Sequence, residues 1–245
     1  MSLRLSGGRR LQSPPGELAR PTAARVRQAV INLLAPDLPG CRWLDLCCGS
    51  AVMACEALQR GATQVVAVER DRRIAAVARA NLTAVAGGLR RQESTPSIQV
   101  VQADVLSWLA RPQARTKAME QRLTAEAVAM PGAAALQSAE VGLQPSTAAG
   151  PRAADAKTPS AAGAAPAWTV SDPSQGFDLI YADPPWPADL HAAIAEAVGR
   201  GQWLRAGGTL VWECPSERVP EPPSGWRLRD SRRYGGSTVV LLEAD

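Results

Sequence analysis

Residues 43–70 read WLDLCCGSAVMACEALQRGATQVVAVER, and the hydrophobic period changes twice within them. WLDLCC (43–48) is a short apolar run carrying one acid, Asp45, which is the length and character of a buried strand. Gly49-Ser50 forms a turn, and AVMACEALQR (51–60) follows with helical spacing until Gly61 ends it. QVVAVE (64–69) is a second strand, and Asp71 caps a helix running to about Asn81. SIQVVQAD (97–104) is a third strand. Strand, turn and helix in repetition predict an α/β fold whose parallel sheet is covered on both faces.

Outward from this stretch the pattern continues. FDLIYAD (177–183) is an apolar strand that runs into Pro184-Pro185-Trp186. A helix over 188–199 and a strand at GGTLVWEC (207–214) come next. The end, WRLRDSRRYGGSTVVLLEA, reads as two strands around a Gly235-Gly236 turn, a common antiparallel edge. Upstream, residues 22–34 form a helix with Val26, Val30, Leu33 and Leu34 on one face, Thr22 as N-cap and Arg25 on the wet side. Residues 111–175 break the alternation. They hold 19 Ala in 65 residues with scattered Pro, Gly and Ser, and are expected to be a mostly disordered insertion, with a possible helix at 115–130.

The chain has 245 residues and a formal charge of +4. Residues 1–36 carry six Arg against one acid, Glu17, which is 6 − 1 = +5. A second basic cluster comprises Arg218, Arg227, Arg229, Arg232 and Arg233. Arginine at this density suits phosphate contact or a solvated basic face. Five Cys without a CxxC pair, and a single His, His191, argue against zinc and against a disulfide scaffold. Reduced thiols point to a cytoplasmic location. No apolar run reaches membrane-spanning length, so no membrane partner and no metal are expected.

Two places carry chemistry. At the first, a glycine where strand meets helix lets backbone approach a ligand, and Glu69, 20 residues on, can accept both hydroxyls of a ribose. The dinucleotide pattern GxGxxG is missing, which favours a nucleoside cofactor over NAD. Asp104 fits either an acceptor for an adenine amine or a helix cap. The second place is Asp183-Pro184-Pro185-Trp186. An aromatic amine is a poor nucleophile because its lone pair is delocalised. The Asp183 carboxylate and the Pro184 carbonyl can hold its hydrogens and draw it towards tetrahedral geometry. The prolines fix φ and bring no competing N–H, and Trp186 offers a flat face for a flipped base.

With both places in view, the sequence resembles the RsmD family of bacterial 16S ribosomal RNA (guanine-N2) methyltransferases. The resemblance spans about residues 3–110 and 176–243. It rests on Gly7-Gly8, Arg10-Leu11, Pro15-Gly16, Arg20-Pro21-Thr22, Arg25-Val26-Arg27 and Asn32 at the N-terminus. It continues through Gly49-Ser50, Glu56-Ala57-Leu58, Arg60-Gly61-Ala62, Glu69, Asp71, Asn81-Leu82, Asp104, Asp183-Pro184-Pro185 and Tyr234-Gly235. It implies a Rossmann-like class I methyltransferase sheet of seven strands, mostly parallel with an antiparallel last strand. It also implies S-adenosyl-L-methionine as cofactor and 16S rRNA, in an assembled or partly assembled small subunit, as partner.

On this basis the expected catalytic residues are Asp183, Pro184, Pro185 and Trp186. The expected cofactor site comprises Asp45, Cys47, Gly49, Ser50, Glu69, Arg70, Asp104, Val105 and Asp183. The expected RNA-contacting residues are Arg10, Arg20, Thr22, Arg25 and Arg27. Residues 1–36 would be a basic RNA-contacting element with its helix, and 37–245 the methyltransferase domain, interrupted at 111–175. The sequence departs from the family at Ala51, where Gly is usual, at Ala24 and Gln28, where acids are common, and at Trp186, where Tyr or Phe is commoner. Rival readings are an adenine-N6 methyltransferase on DNA or RNA and an inactive RNA-binding or assembly protein of the same fold.

Overall fold

The computed structural model describes residues 3–14, 24–89, 96–111 and 176–245. All of these fall within one compact unit formed by residues 1–113 and 174–245. The 111–175 insertion lies outside the described residues apart from Arg111, as do Arg20 and Thr22.

Seven strands form one sheet: β1 (Arg42–Leu46), β2 (Gln64–Glu69), β3 (Ser97–Gln102), β4 (Phe177–Ala182), β5 (Leu204–Pro215), β6 (Trp226–Tyr234) and β7 (Ser237–Ala244). Their spatial order is β3-β2-β1-β4-β5-β7-β6. The first five are mutually parallel, and β7 runs antiparallel between β5 and β6. The mostly parallel seven-stranded sheet with an antiparallel last strand is therefore as expected. Gly235, at φ 64°, supplies the left-handed residue of the β6–β7 turn. Strand order reverses between β1 and β4, and the loops leaving these neighbours open at the same edge.

The helices are α1 (Ala24–Leu33), α2 (Val52–Gln59), α3 (Arg72–Leu89), α4 (Val105–Leu109) and α5 (His191–Arg200). Asp71 caps α3 by accepting from the backbone N–H groups of Arg73 (2.7 Å) and Ile74 (3.0 Å). The helix runs to Leu89, two turns past the expected end, because Leu82, Val85 and Ala86 continue the buried stripe. Alternation along the strands sorts the core into two faces. Trp43, Val65, Ala67, Leu179, Tyr181 and Val211 join residues of α1, α2 and α3 in one cluster. On the other face, Trp108 stacks on Trp203 and His191 of α5 meets Trp212 of β5 edge-on.

The N-terminal residues are built into this core. Leu5 N–H donates to Arg9 O and Leu11 N–H to Leu3 O, giving a small hairpin that turns at Gly8 (φ 82°). Leu5 and Leu11 are buried with α1 and α2. Glu56 of α2 accepts from both Ser6 N–H (2.8 Å) and the Ser6 hydroxyl (2.9 Å).

Arg27 requires a correction. It was expected to face RNA, yet it is only 6% exposed. It lies on the inner face of α1 beside Val26, Val30 and Ile31, and it donates to Arg4 O at 2.8 Å. Burial lowers its pKa, opposed by the nearby charges of Glu56, Tyr181 and Glu213. Helical spacing places residue 27 one turn from Ile31, on the core side rather than beside the exposed Arg25. Arg27→Ala is expected to lower the unfolding free energy by about 2 kcal/mol, because buried acceptors lose their donor. Arg25→Ala should change it by less than about 0.5 kcal/mol. Urea unfolding of the two variants checks the contrast.

Candidate active site

The loop from β1 to α2 is held in an unusual backbone path. Cys47, Gly49 and Ala51 all have positive φ, at 61°, 54° and 58°. Several bonds fix it. Cys48 N–H donates to Val68 O at 2.9 Å, and Gly49 N–H to the Glu69 carboxylate at 3.0 Å. Asp45 accepts from Ala54 N–H at 3.1 Å, from inside the first turn of α2. A Cβ at Gly49 would have nothing within 4 Å, so the space above this residue is open to a ligand.

Four predicted acids converge here. The Cys47 thiol is pushed up to about 12, first by burial and then by the charges of Glu69, Asp183, Asp45 and Asp104. These acids belong to four neighbouring strands, so they form a row along one edge of the sheet. Their surroundings differ. Asp45 is 1% exposed and serves the backbone of α2, so it shapes the loop from beneath rather than lining its open side. Its pKa is raised to about 8, mainly by burial, with Asp183 and Glu69 adding to the effect. Glu69 is half-buried, and besides Gly49 it accepts from Asp71 N–H at 2.8 Å. Asp104 caps α4 by accepting from Ser107 N–H at 3.0 Å, a bond that lowers its pKa. The helix-cap reading of Asp104 is thus realised, at a place that still borders the site. Ser50 is half-buried, Arg70 exposed, and Val105 buried as the first residue of α4.

Asp183 follows β4 directly, one strand over from the Gly49 loop. Pro184 is buried and Pro185 exposed. Trp186 opens a single 3-10 turn, 186–188, closed by Ala188 N–H to Pro185 O at 2.9 Å. Trp43, Trp108, Trp203, Trp212 and Trp226 are all buried in the core. Among the described residues Trp186 is the tryptophan left half-buried. Beneath Asp183, Tyr181 donates to Glu213 at 2.6 Å, and His191 Nε2 lies 2.9 Å from Glu213 O. Sequence patterning did not single out Tyr181, Glu213 or His191, because their partners lie on different strands and helices.

The basic groups divide. Arg10 and Arg25 are exposed. The second basic cluster is largely neutralised: Arg218 pairs with Asp189, Arg227 and Arg229 with Glu243, and Arg232 with Asp230. Asp230 lies among its arginines, Glu243 on the neighbouring strand and Asp189 after the 3-10 turn, which a count of arginines does not reveal.

The family described as conserved hypothetical protein 95 matches residues 5–119 and 159–243. The chain belongs to this family, the RsmD family. Ribosomal RNA small subunit methyltransferase D of Escherichia coli K12 is 34% identical over 104 residues, covering 42% of this chain and 48% of that protein. YlbH of Bacillus subtilis 168, named as a candidate rRNA methyltransferase, is 36% identical over 75 residues, or 31% of this chain and 41% of its own. The matches thus span under half the length of these curated relatives. The solved structure of yhhF, named as a candidate methyltransferase of Escherichia coli, superposes with a TM-score of 0.64 at 20% identity. It covers 100% of this chain and 99% of that one, and this likeness bears on the fold.

Within the RsmD family resemblance, Ala51 stands out as a left-handed alanine. It is fully buried, so its methyl packs into the core and does not crowd the open side of the loop. Left-handed alanine costs about 1 kcal/mol, partly offset on replacement by the greater freedom of glycine in the unfolded chain. Ala51→Gly relieves that cost but also deletes a buried methyl, so the melting temperature is expected to move by less than roughly 2 °C in thermal unfolding.

Asp45 gives a pH dependence. Its folded-state pKa of about 8 exceeds the ordinary 3.8. Between those values the folded chain holds a proton that the unfolded chain has released, so stability falls as pH rises through this window. Asp45→Asn removes the titration. Its melting temperature should exceed that of the wild type near pH 8, and the advantage should vanish near pH 4.

Proposed function

We propose that this chain is an S-adenosyl-L-methionine-dependent methyltransferase acting on the exocyclic N2 amine of a guanine in 16S rRNA. The observation that carries the reading is the placement of Asp183-Pro184-Pro185-Trp186 beside the Gly49 loop, at the reversal of strand order. That is where an open parallel sheet takes a ligand. The residues fit a nucleoside sulfonium: clearance at Gly49, a ribose acceptor at Glu69, and a row of carboxylates around a site for a cation. Gly49, Ser50, Glu69, Arg70, Asp104 and Val105 would hold the cofactor, which when bound supplies an electrophilic methyl group.

The chain's own residues prepare the amine. The Asp183 carboxylate accepts one amine hydrogen and the Pro184 carbonyl the other, which draws the nitrogen lone pair out of conjugation. As the nitrogen gains carbon it sheds one proton, and Asp183 is the acceptor at hand. Trp186 stacks on the flipped base and fixes the approach of the nitrogen. Asp45 keeps the loop in shape from below. The name of the Escherichia coli relative supports small-subunit rRNA as substrate. The exposed Arg10 and Arg25, with Arg20 and Thr22, are the groups proposed to contact RNA phosphates.

Asp183→Ala is expected to lower methyl transfer to small ribosomal subunits by at least 100-fold while cofactor affinity changes little. Transfer of radiolabelled methyl, followed by digestion of the rRNA to nucleosides, checks both points. N2-methylguanosine is the expected product. N6-methyladenosine would replace guanine by adenine as the target, and full activity in the variant would remove Asp183 from the chemistry.

A further inference from the structure

Asn81 sits in the middle of α3, 2% exposed, and its amide is directed at two separate pieces of chain. Its oxygen accepts from Gln12 N–H at 2.8 Å. Its nitrogen donates to Gln12 O and to Ser50 O, both at 3.0 Å. Gln12 ends the N-terminal hairpin, and Ser50 lies between Gly49 and the left-handed Ala51. The other anchors of the Gly49 loop come from β1 and β2. Asn81 joins that loop to the hairpin.

The hairpin itself faces both ways. Leu5 and Leu11 are buried, and Glu56, in the middle of α2, holds Ser6. Arg4, Arg9 and Arg10 are exposed, with Arg4 donating to Gly8 O at 3.1 Å and Arg9 to Ala84 O of α3 at 2.8 Å. The hairpin thus carries exposed guanidinium groups suited to phosphates, while its last residue is hydrogen-bonded to the side chain that fixes Ser50.

We propose that Asn81 is a positioning residue that couples the N-terminal hairpin to the cofactor loop, so that RNA on the hairpin and cofactor on the loop raise each other's affinity. Both hydrogen-bonding edges of one planar amide are committed, so a shift of Gln12 tilts the amide and displaces its second donor from Ser50. Coupling of this kind is reciprocal by thermodynamic necessity. The inference rests on the reading of the chain as an rRNA methyltransferase and adds a link between its two substrates.

The test is calorimetry of S-adenosylmethionine binding to the full chain, with and without purified small ribosomal subunits. In the wild type the subunits should tighten cofactor binding about 5-fold or more. Asn81→Ala should weaken cofactor binding in the absence of RNA and abolish the tightening. Gln12→Pro removes the N–H that Asn81 accepts, which frees the amide from the hairpin's movement while its donor keeps Ser50 O as acceptor. It should therefore keep near-normal binding of the cofactor alone and lose the tightening, which also covers the case in which Asn81→Ala fails to fold. A purely structural asparagine would lower the melting temperature of Asn81→Ala yet leave both the affinity and the tightening intact, and that result overturns the proposal. A wild type that binds cofactor without any tightening overturns the coupling alone. A wild type that binds no cofactor overturns the methyltransferase reading as well.

Discussion

Four carboxylates from four adjacent strands meet around the β1–α2 loop, and much of the structure keeps them there against their mutual repulsion. Asp104, Glu69, Asp45 and Asp183 follow the order of the strands across the sheet. Each is tamed differently. Asp45 is buried and pushed towards its neutral form, Asp104 is committed to a helix cap, and Glu69 is committed to backbone N–H groups on either side. Asp183 stands at the end of β4 beside the two prolines. A concentration of negative charge with open space above Gly49 is a poor place for an anion and a good one for a sulfonium.

The loop at the centre of this row has three positive-φ residues in five, two of them not glycine. Such a path persists only where surrounding bonds over-determine it. Val68, Glu69, Asp45 and Asn81 supply those bonds from three directions. Position 51 is a left-handed alanine whose methyl group falls into the core. The same anchoring extends outward to the N-terminal hairpin, which is thereby part of the fold's framework as well as a basic segment.

Trp186 shows how fold and chemistry separate. The other described tryptophans fill space between helices and sheet, in the role an indole ordinarily plays. Trp186 is held at the surface by a 3-10 turn and by the two prolines before it, which cannot enter a strand or donate to one. A ring left half-buried three residues after Asp183 is what the proposed stacking on a base requires.

The strands, the helices, the antiparallel end and the acids at strand ends were legible in the sequence, because period, turn residues and capping residues are local properties. Asp183-Pro184-Pro185-Trp186 was legible as a candidate motif because it is a run of adjacent residues, and Gly49 with Glu69 because each ends or follows a recognisable strand. What only the tertiary structure decided is which charges are exposed and which are paired. Arg27 shares a sequence block with Arg25 yet turns inward, since a helix rotates neighbours by 100° and the core lies on one side. Arg227 and Arg229 of β6 meet Glu243 across the sheet, and Asn81 meets residues 69 and 31 positions away. Local pattern says which residues can hydrogen-bond or carry charge; three-dimensional packing chooses their partners, because those partners are brought close only when the chain folds.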